Sequence, residues 1–117
     1  MSRIIKIKEN HIFRRAYSRG KALVCPYVVV YVLKNRSGNV RLGITASKKI
    51  GKAVARNRAR RVITAAFGNC YSKIVPGYDF IIVARTRILS VKSTVVEASL
   101  LKLLRSAGIY NDEQVID

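Results

Sequence analysis

The chain of 117 residues carries 23 lysines and arginines against 6 aspartates and glutamates, a formal net charge of +17, and 50% of its residues are hydrophobic. That length is one domain and excludes a large two-domain enzyme, and that hydrophobic content builds a core without disulfides and excludes a disordered chain. A field of this sign and size answers to a polyanion rather than to a small acidic substrate.

The N-terminal stretch MSRIIKIKENHIF is basic and lacks the apolar core of a signal peptide. No apolar run nears the ~20 residues of a membrane span. A cytoplasmic protein with no membrane partner is expected. A short helix is predicted over 10–20, with Asn10 as its N-cap and Gly20 closing it in the left-handed conformation. Ile12, Phe13, Ala16 and Tyr17 share one of its faces. A short strand is predicted over 21–25. A longer one over 27–34 is apolar on both faces, with Tyr27, Val29, Tyr31 and Leu33 on one side and Val28, Val30 and Val32 on the other. The cluster NRSGN at 35–39 is a turn. The alternation of 40–47 predicts a strand that returns beside 27–34 as a hairpin. The main helix is predicted over 53–67, stopped by Gly68, with Ala55, Ala59, Val62, Ile63 and Ala66 as its apolar stripe. A turn at Pro76-Gly77, a buried strand over 79–85, an amphipathic helix over 93–107 and a polar tail at 111–117 complete the chain. One α+β domain spanning 1–117 is expected, with the helices on one face of a single sheet.

The residues that carry familiar catalytic chemistry are missing. The single histidine, His11, falls in the first turn of the first helix and reads as an exposed helix residue. The acids are scattered, so no carboxylate cluster is offered to a metal ion, and there is no glycine-rich phosphate motif. Cys25 and Cys70 allow a single disulfide but no framework or metal quartet, and they read as two reduced thiols. No catalytic residue is assigned.

Residues 10–78 contain fifteen lysines and arginines and not one acid. Seven of them fall in SKKIGKAVARNRARR at 47–61: Lys48, Lys49, Lys52, Arg56, Arg58, Arg60 and Arg61. An ordinary solvated face mixes both signs, and this one does not. The planar guanidinium suits phosphate oxygens, so the stretch reads as a phosphate-backbone surface. Asn57 among the arginines is open to a base, a 2′-hydroxyl or a hydrated metal ion. Phe13, Tyr17, Tyr27 and Tyr31 read either as core or as stacking platforms for single-stranded nucleic acid on an uncovered sheet face.

This stretch resembles the signature of the bacterial ribonuclease P protein family: a lysine pair after a strand, a short glycine-containing loop, then a helix opening with Arg-Asn-Arg and a further basic pair. KIKENHIFRRAYSRG, RLGITASKK and GYDFIIVAR resemble other segments of that family, and the resemblance covers roughly 5–107. Ala59, Thr64, Ala65 and Pro26 depart from the family pattern, and no RNA contact is carried onto Thr64. The resemblance implies a small, mostly antiparallel two-layer sheet with three helices, like the second domain of a small-subunit ribosomal protein. It also implies a βαβ crossover of left hand, against the general rule. It implies a partnership with a catalytic RNA that cuts the 5′ leader from precursor tRNA, with Mg²⁺ bound mainly by the RNA, and with no obligate protein partner. On matching positions, Lys48, Lys49, Lys52, Arg56, Asn57, Arg58, Arg60 and Arg61 face the RNA subunit. The resemblance further implies that Phe13, Tyr17, Val29, Tyr31 and the bordering Arg60 hold the leader and that Asn57 is associated with metal. The alternative is a non-enzymatic ribosomal or ribosome-assembly protein, which composition alone does not separate from the first reading. A DNA-binding protein has neither a helix-turn-helix pattern nor a dimer heptad to support it.

Overall fold

Phe80, Ile81 and Ile82 are all almost fully buried, so the strand that carries them is covered on both faces and belongs in the middle of a sheet. The computed structural model, which describes residues 4–110, puts it there. In chain order the elements are β1 (Ile5–Lys6), α1 (Asn10–Arg19), β2 (Lys21–Val24), β3 (Val28–Lys34), β4 (Arg41–Thr45), α2 (Ala53–Cys70), β5 (Tyr78–Ala84) and α3 (Ser93–Ser106), with short 3₁₀ segments at Tyr71–Lys73 and Thr86–Ser90. The sheet order is β1-β4-β5-β3-β2. The tail at 111–117 lies outside the described residues.

Among the described residues the fold is α+β, with three helices on a five-stranded sheet. The sheet is mixed rather than mostly antiparallel: β1 with β4 and β4 with β5 are parallel, while β5 with β3 and β3 with β2 are antiparallel. β4, α2 and β5 form the βαβ unit that the resemblance implied.

The expected hairpin of 27–34 with 40–47 does not form. β5 lies between β3 and β4, and Asp79 stands opposite Leu33 on one side and Arg41 on the other. The turn cluster clasps the incoming strand instead: Asn35 N–H donates to the Gly77 carbonyl at 2.7 Å, and Gly77 N–H to the Asn39 carbonyl at 3.2 Å. The tight hairpin is β2 with β3, closed by Cys25 N–H on the Val28 carbonyl at 3.1 Å.

The helices occupy both faces, not one, so the two-layer expectation is corrected. Val28, Val30, Val32, Phe80 and Ile82 face α2 and α3, where Phe67 meets Phe80 with ring centroids 5.4 Å apart. Ile81 faces α1 with Ile7, Ile12 and Ala16, and Phe13, Tyr31 and Val83 pack around them. A sheet apolar on both faces needs cover on both, and α1 supplies part of the second.

Two glycines behave differently from expectation. Gly20 is extended, at φ −72° and ψ 155°, and not left-handed. Its role is close approach: a Cβ there would fall 2.5 Å from the Ala16 carbonyl oxygen. Glu9 rather than Asn10 takes the N-cap position of α1, with no side-chain cap. Gly68 does not stop α2, because the buried stripe of Ala59, Val62, Ile63, Ala66 and Phe67 continues to Cys70. Burial along that stripe overrides a glycine penalty of about 1 kcal/mol. Cys25 and Cys70 are both free, and burial, aided by Glu97 and opposed by Arg105, pushes the Cys70 thiol up to about 12.

Candidate nucleic-acid interface

The basic segment is built as a loop and a helix start. After β4, Ile50 N–H bonds the Ser47 carbonyl at 3.0 Å and Gly51 N–H the Lys48 carbonyl at 3.2 Å. Ile50 anchors this turn in the core, while Lys48, Lys49 and Lys52 stay exposed. Gly51 has φ +139°, a conformation that side chains rarely adopt. Lys52 occupies the N-cap position of α2, and the first turn holds no acid. Cations therefore crowd the positive end of the helix dipole, an arrangement that costs stability until an anion joins it.

Along α2, Asn57, Arg58, Arg60 and Arg61 are exposed, opposite the buried stripe. Arg56 is half-buried, and its Nε is buried with no hydrogen-bond partner. Arg58 reaches toward α3, donating through Nη2 to the Val91 carbonyl at 3.4 Å. With Arg61 it lines a shallow hollow of about 390 Å³ shared with Lys92 and Ser93. Sequence reasoning missed Lys92. The signal for it was available: a lone cation immediately before the start of a helix.

A second surface lies on the sheet face beneath α1. The Tyr17 and Tyr31 rings are 5.0 Å apart and nearly perpendicular, at 78°, and Phe13 lies 6.4 Å from Tyr17. The Tyr17 hydroxyl hydrogen-bonds the Thr45 hydroxyl at 2.9 Å. Tyr17 is 41% exposed, so half of this ring is available to a ligand, whereas Phe13 is tucked against Ile81 and Gly43. Val29 is half-buried and stands in register with Val24, which is 58% exposed. The β2–β3 half of this face is thus an open apolar floor beside the rings.

Phe13, Tyr17 and Tyr31 come together as the sequence implied. Tyr27 leaves the group and packs on the α2 side. Arg60 also does not join the rings. It stands on the α2 side of the β1–β4 edge, in a groove of about 460 Å³ with Ile4, Lys6, Lys8, Leu42, Ile44 and others. The cause is the helices' division between the two faces: α2 cannot reach over to α1's side.

Asp79 is the one buried polar residue among the described residues. It accepts from Arg41 through Nε at 2.5 Å and Nη2 at 2.7 Å, and from Asn35 Nδ2 at 2.8 Å. The hydrogen bonds to Asp79 raise the Arg41 guanidinium further above its ordinary value, against desolvation. His11 is exposed in the first turn of α1. Among the described residues no three histidines, cysteines or acids converge on a metal position. Asn57 stands exposed without such company. Among the described residues, no helix is long and apolar enough to cross a membrane.

A family model described as Ribonuclease P matches residues 1–108. The chain belongs to the ribonuclease P protein family. The ribonuclease P protein component of Clostridium beijerinckii is 39% identical over 119 aligned positions, covering 96% of this chain and 95% of the relative. The Staphylococcus aureus RNase P protein structure superposes with a TM-score of 0.79 at 34% identity, over 91% of this chain and 97% of that one. The Thermotoga maritima RNase P protein does so with 0.77 at 30% identity, over 86% and 96%. The chain is thus of the kind that serves as the protein component of ribonuclease P, a tRNA-processing enzyme.

Proposed function

We propose that this chain binds the catalytic RNA of ribonuclease P through Lys48, Lys49, Lys52, Asn57, Arg58, Arg60 and Arg61, with Lys92 completing that surface. The half-buried Arg56 supports it. The same chain holds the 5′ leader of precursor tRNA on the open floor beside Phe13, Tyr17 and Tyr31, with Val29 beneath. The partners are two RNAs met in the cytoplasm, and no protein partner is required. The complex hydrolyses the leader from precursor tRNA and leaves the mature 5′ end.

The observation that carries this reading is the half-exposed ring pair of Tyr17 and Tyr31 on a sheet face that α1 covers only in part. An uncovered aromatic floor is unfavourable in water and suits unpaired bases, whose stacking on rings is worth roughly 1–3 kcal/mol each. The cation-rich start of α2 supplies the sequence-independent part of the affinity. Mg²⁺ and the bond-breaking step belong to the RNA; the chain's own work is to bind, orient and discriminate substrate.

The test is to add purified protein to a bacterial catalytic RNA at low Mg²⁺ and measure leader cleavage. Stimulated cleavage, together with tighter binding of precursor than of mature tRNA, is the expected result. A ribosomal or ribosome-assembly protein gives neither, and their absence overturns the reading.

A further inference from the structure

A second cationic hollow lies at the far end of the sheet from the start of α2. Its volume is about 310 Å³, and it is lined by Arg15 of α1, Lys34 at the end of β3, Arg36 in the following loop, and the group Asn35, Arg41 and Asp79. The register fixes its position. Leu33 and Arg41 both stand opposite Asp79, so the hollow sits at the amino ends of β4 and β5. The lysine loop at 47–52 departs from the other end of β4, beyond Thr45. Alternation puts Arg41 and Asp79 on the same face as Gly43, Thr45 and Ile81, the face beneath α1. The hollow and the ring-lined floor therefore share one sheet face and one helix.

The charge of this hollow is not balanced. Its only carboxylate among the described residues, Asp79, is 2% exposed and already takes three hydrogen bonds from Arg41 and Asn35. Arg15, Lys34 and Arg36 are exposed around that satisfied pair; among the described residues no other acid lines the site, and Glu9 acts on Arg41 only through space. The loop that presents Arg36 is held in place. Asn35 Oδ1 accepts from the Ser37 N–H and hydroxyl, each at 3.0 Å, while its Nδ2 also donates to the Asn39 carbonyl at 3.1 Å. Cations converging from a helix, a strand end and a pinned loop form a preorganised site for phosphate oxygens.

We infer that this hollow binds backbone phosphates of the upstream part of the leader, a strand that crosses the floor at Tyr17 and Tyr31 and leaves past Arg15, Lys34 and Arg36. The inference rests on the proposed reading of the floor as the leader's site. Continuity with that floor favours the leader over the catalytic RNA, whose proposed contacts on α2 occupy the opposite face.

The experiment uses the complex reconstituted with a bacterial catalytic RNA and a Lys34→Ala/Arg36→Ala double variant. Both residues are exposed, so the thermal midpoint should stay at the wild-type value. Affinity is measured across salt for precursors with a leader of about two or about ten nucleotides, the latter within the span of single-strand grooves, and for mature tRNA. The long-leader precursor should bind about tenfold more weakly, with a salt slope smaller by about 1.4, two contacts at about 0.7 each. The short-leader precursor and mature tRNA should bind as to wild type, and Arg36→Lys should keep most of the long-leader affinity. Undiminished long-leader binding overturns the inference. Equal losses for all three RNAs overturn it too, by assigning these cations to the catalytic RNA. A wild-type complex that does not prefer precursor over mature tRNA removes the leader-site reading itself and this inference with it. A wild type that does, beside an unaffected double variant, removes the inference alone.

Discussion

The ring of Phe13 fills the space that a side chain on Gly43 would need: a Cβ built on Gly43 would lie 2.7 Å from Phe13 Cζ and 2.7 Å from Ile81 Cδ1. α1 settles on the sheet at this point because β4 presents bare backbone there. The floor beside Tyr17 and Tyr31 takes its depth from that approach. Gly43→Ala should therefore push α1 outward, costing about 1–3 kcal/mol as other overpacked sites do. Urea melts give the stability change, and precursor affinity should fall with it. A neutral Gly43→Ala would mean that the ring and the Ile81 side chain shift without resistance.

The Arg41–Asp79 pair predicts an asymmetric mutational response. Asp79 is 3% exposed at its side chain and Arg41 25%. Arg41→Ala leaves a buried carboxylate with the Asn35 hydrogen bond alone and should cost about 3–5 kcal/mol. Asp79→Asn leaves a guanidinium that can still turn toward water and should cost less. Chemical denaturation of both variants checks the order. Losses near zero for both, as for exposed pairs, would contradict it.

Tyr17 and Phe13 should separate binding from folding. Tyr17→Ala removes a half-exposed ring and should lower precursor affinity by roughly 1–3 kcal/mol while leaving mature tRNA binding unchanged. Its melting temperature should move little. Phe13→Ala removes a ring packed on Ile81 and should lower the melting temperature clearly. Tyr17→Phe, which loses only the bond to Thr45, should bind nearly as wild type. Equal loss of precursor and mature tRNA in Tyr17→Ala would place the ring outside the leader site.

Cys70 makes stability fall in alkali. In the unfolded chain its thiol ionises at about 8.5, and in the fold it is pushed up to about 12. Below the first value both states hold the proton and stability is complete. Between the two, the unfolded state gives up a proton that the folded state keeps, so stability falls as pH rises. Cys70→Ala lacks that loss. Its deficit relative to wild type, measured by urea melts, should shrink from about pH 8 to about pH 10.5. Parallel profiles for the two proteins would contradict the assignment. In the native protein at mildly alkaline pH, a thiol reagent should reach the half-buried Cys25 well before Cys70.

What the sequence revealed followed from local pattern. The stripe of α2 and the double apolar face of β3 are written within single segments, and so is the Arg-Asn-Arg run. Apart from the N-cap of α1 and the run of α2 past Gly68, the differences concern where one segment meets another. Turn residues at 35–39 read as a hairpin, because nothing near them signals that β5, more than thirty residues later, inserts between β3 and β4. β1 is two residues long and shows no periodicity of its own. Gly20 suggested a left-handed cap, but the constraint on it comes from the Ala16 carbonyl of the preceding turn and the Val32 carbonyl of a strand. The family resemblance puts Arg60 at the border of the ring set, and the division of helices between two faces separates them.

The central position of β5 also orders events during synthesis. Among the described residues β5 is the last strand to leave the ribosome, and it is the one that joins β1–β4 to β2–β3. Until residue 84 has been made, the two halves of the sheet share no hydrogen-bonded edge. For most of its translation the nascent chain is then an unassembled polycation, with fifteen positive and no negative side chains across residues 10–78. Such a chain attracts any nearby RNA without regard to shape. Arrival of one apolar strand converts that indiscriminate attraction into fixed surfaces, because both halves of the sheet pair with β5.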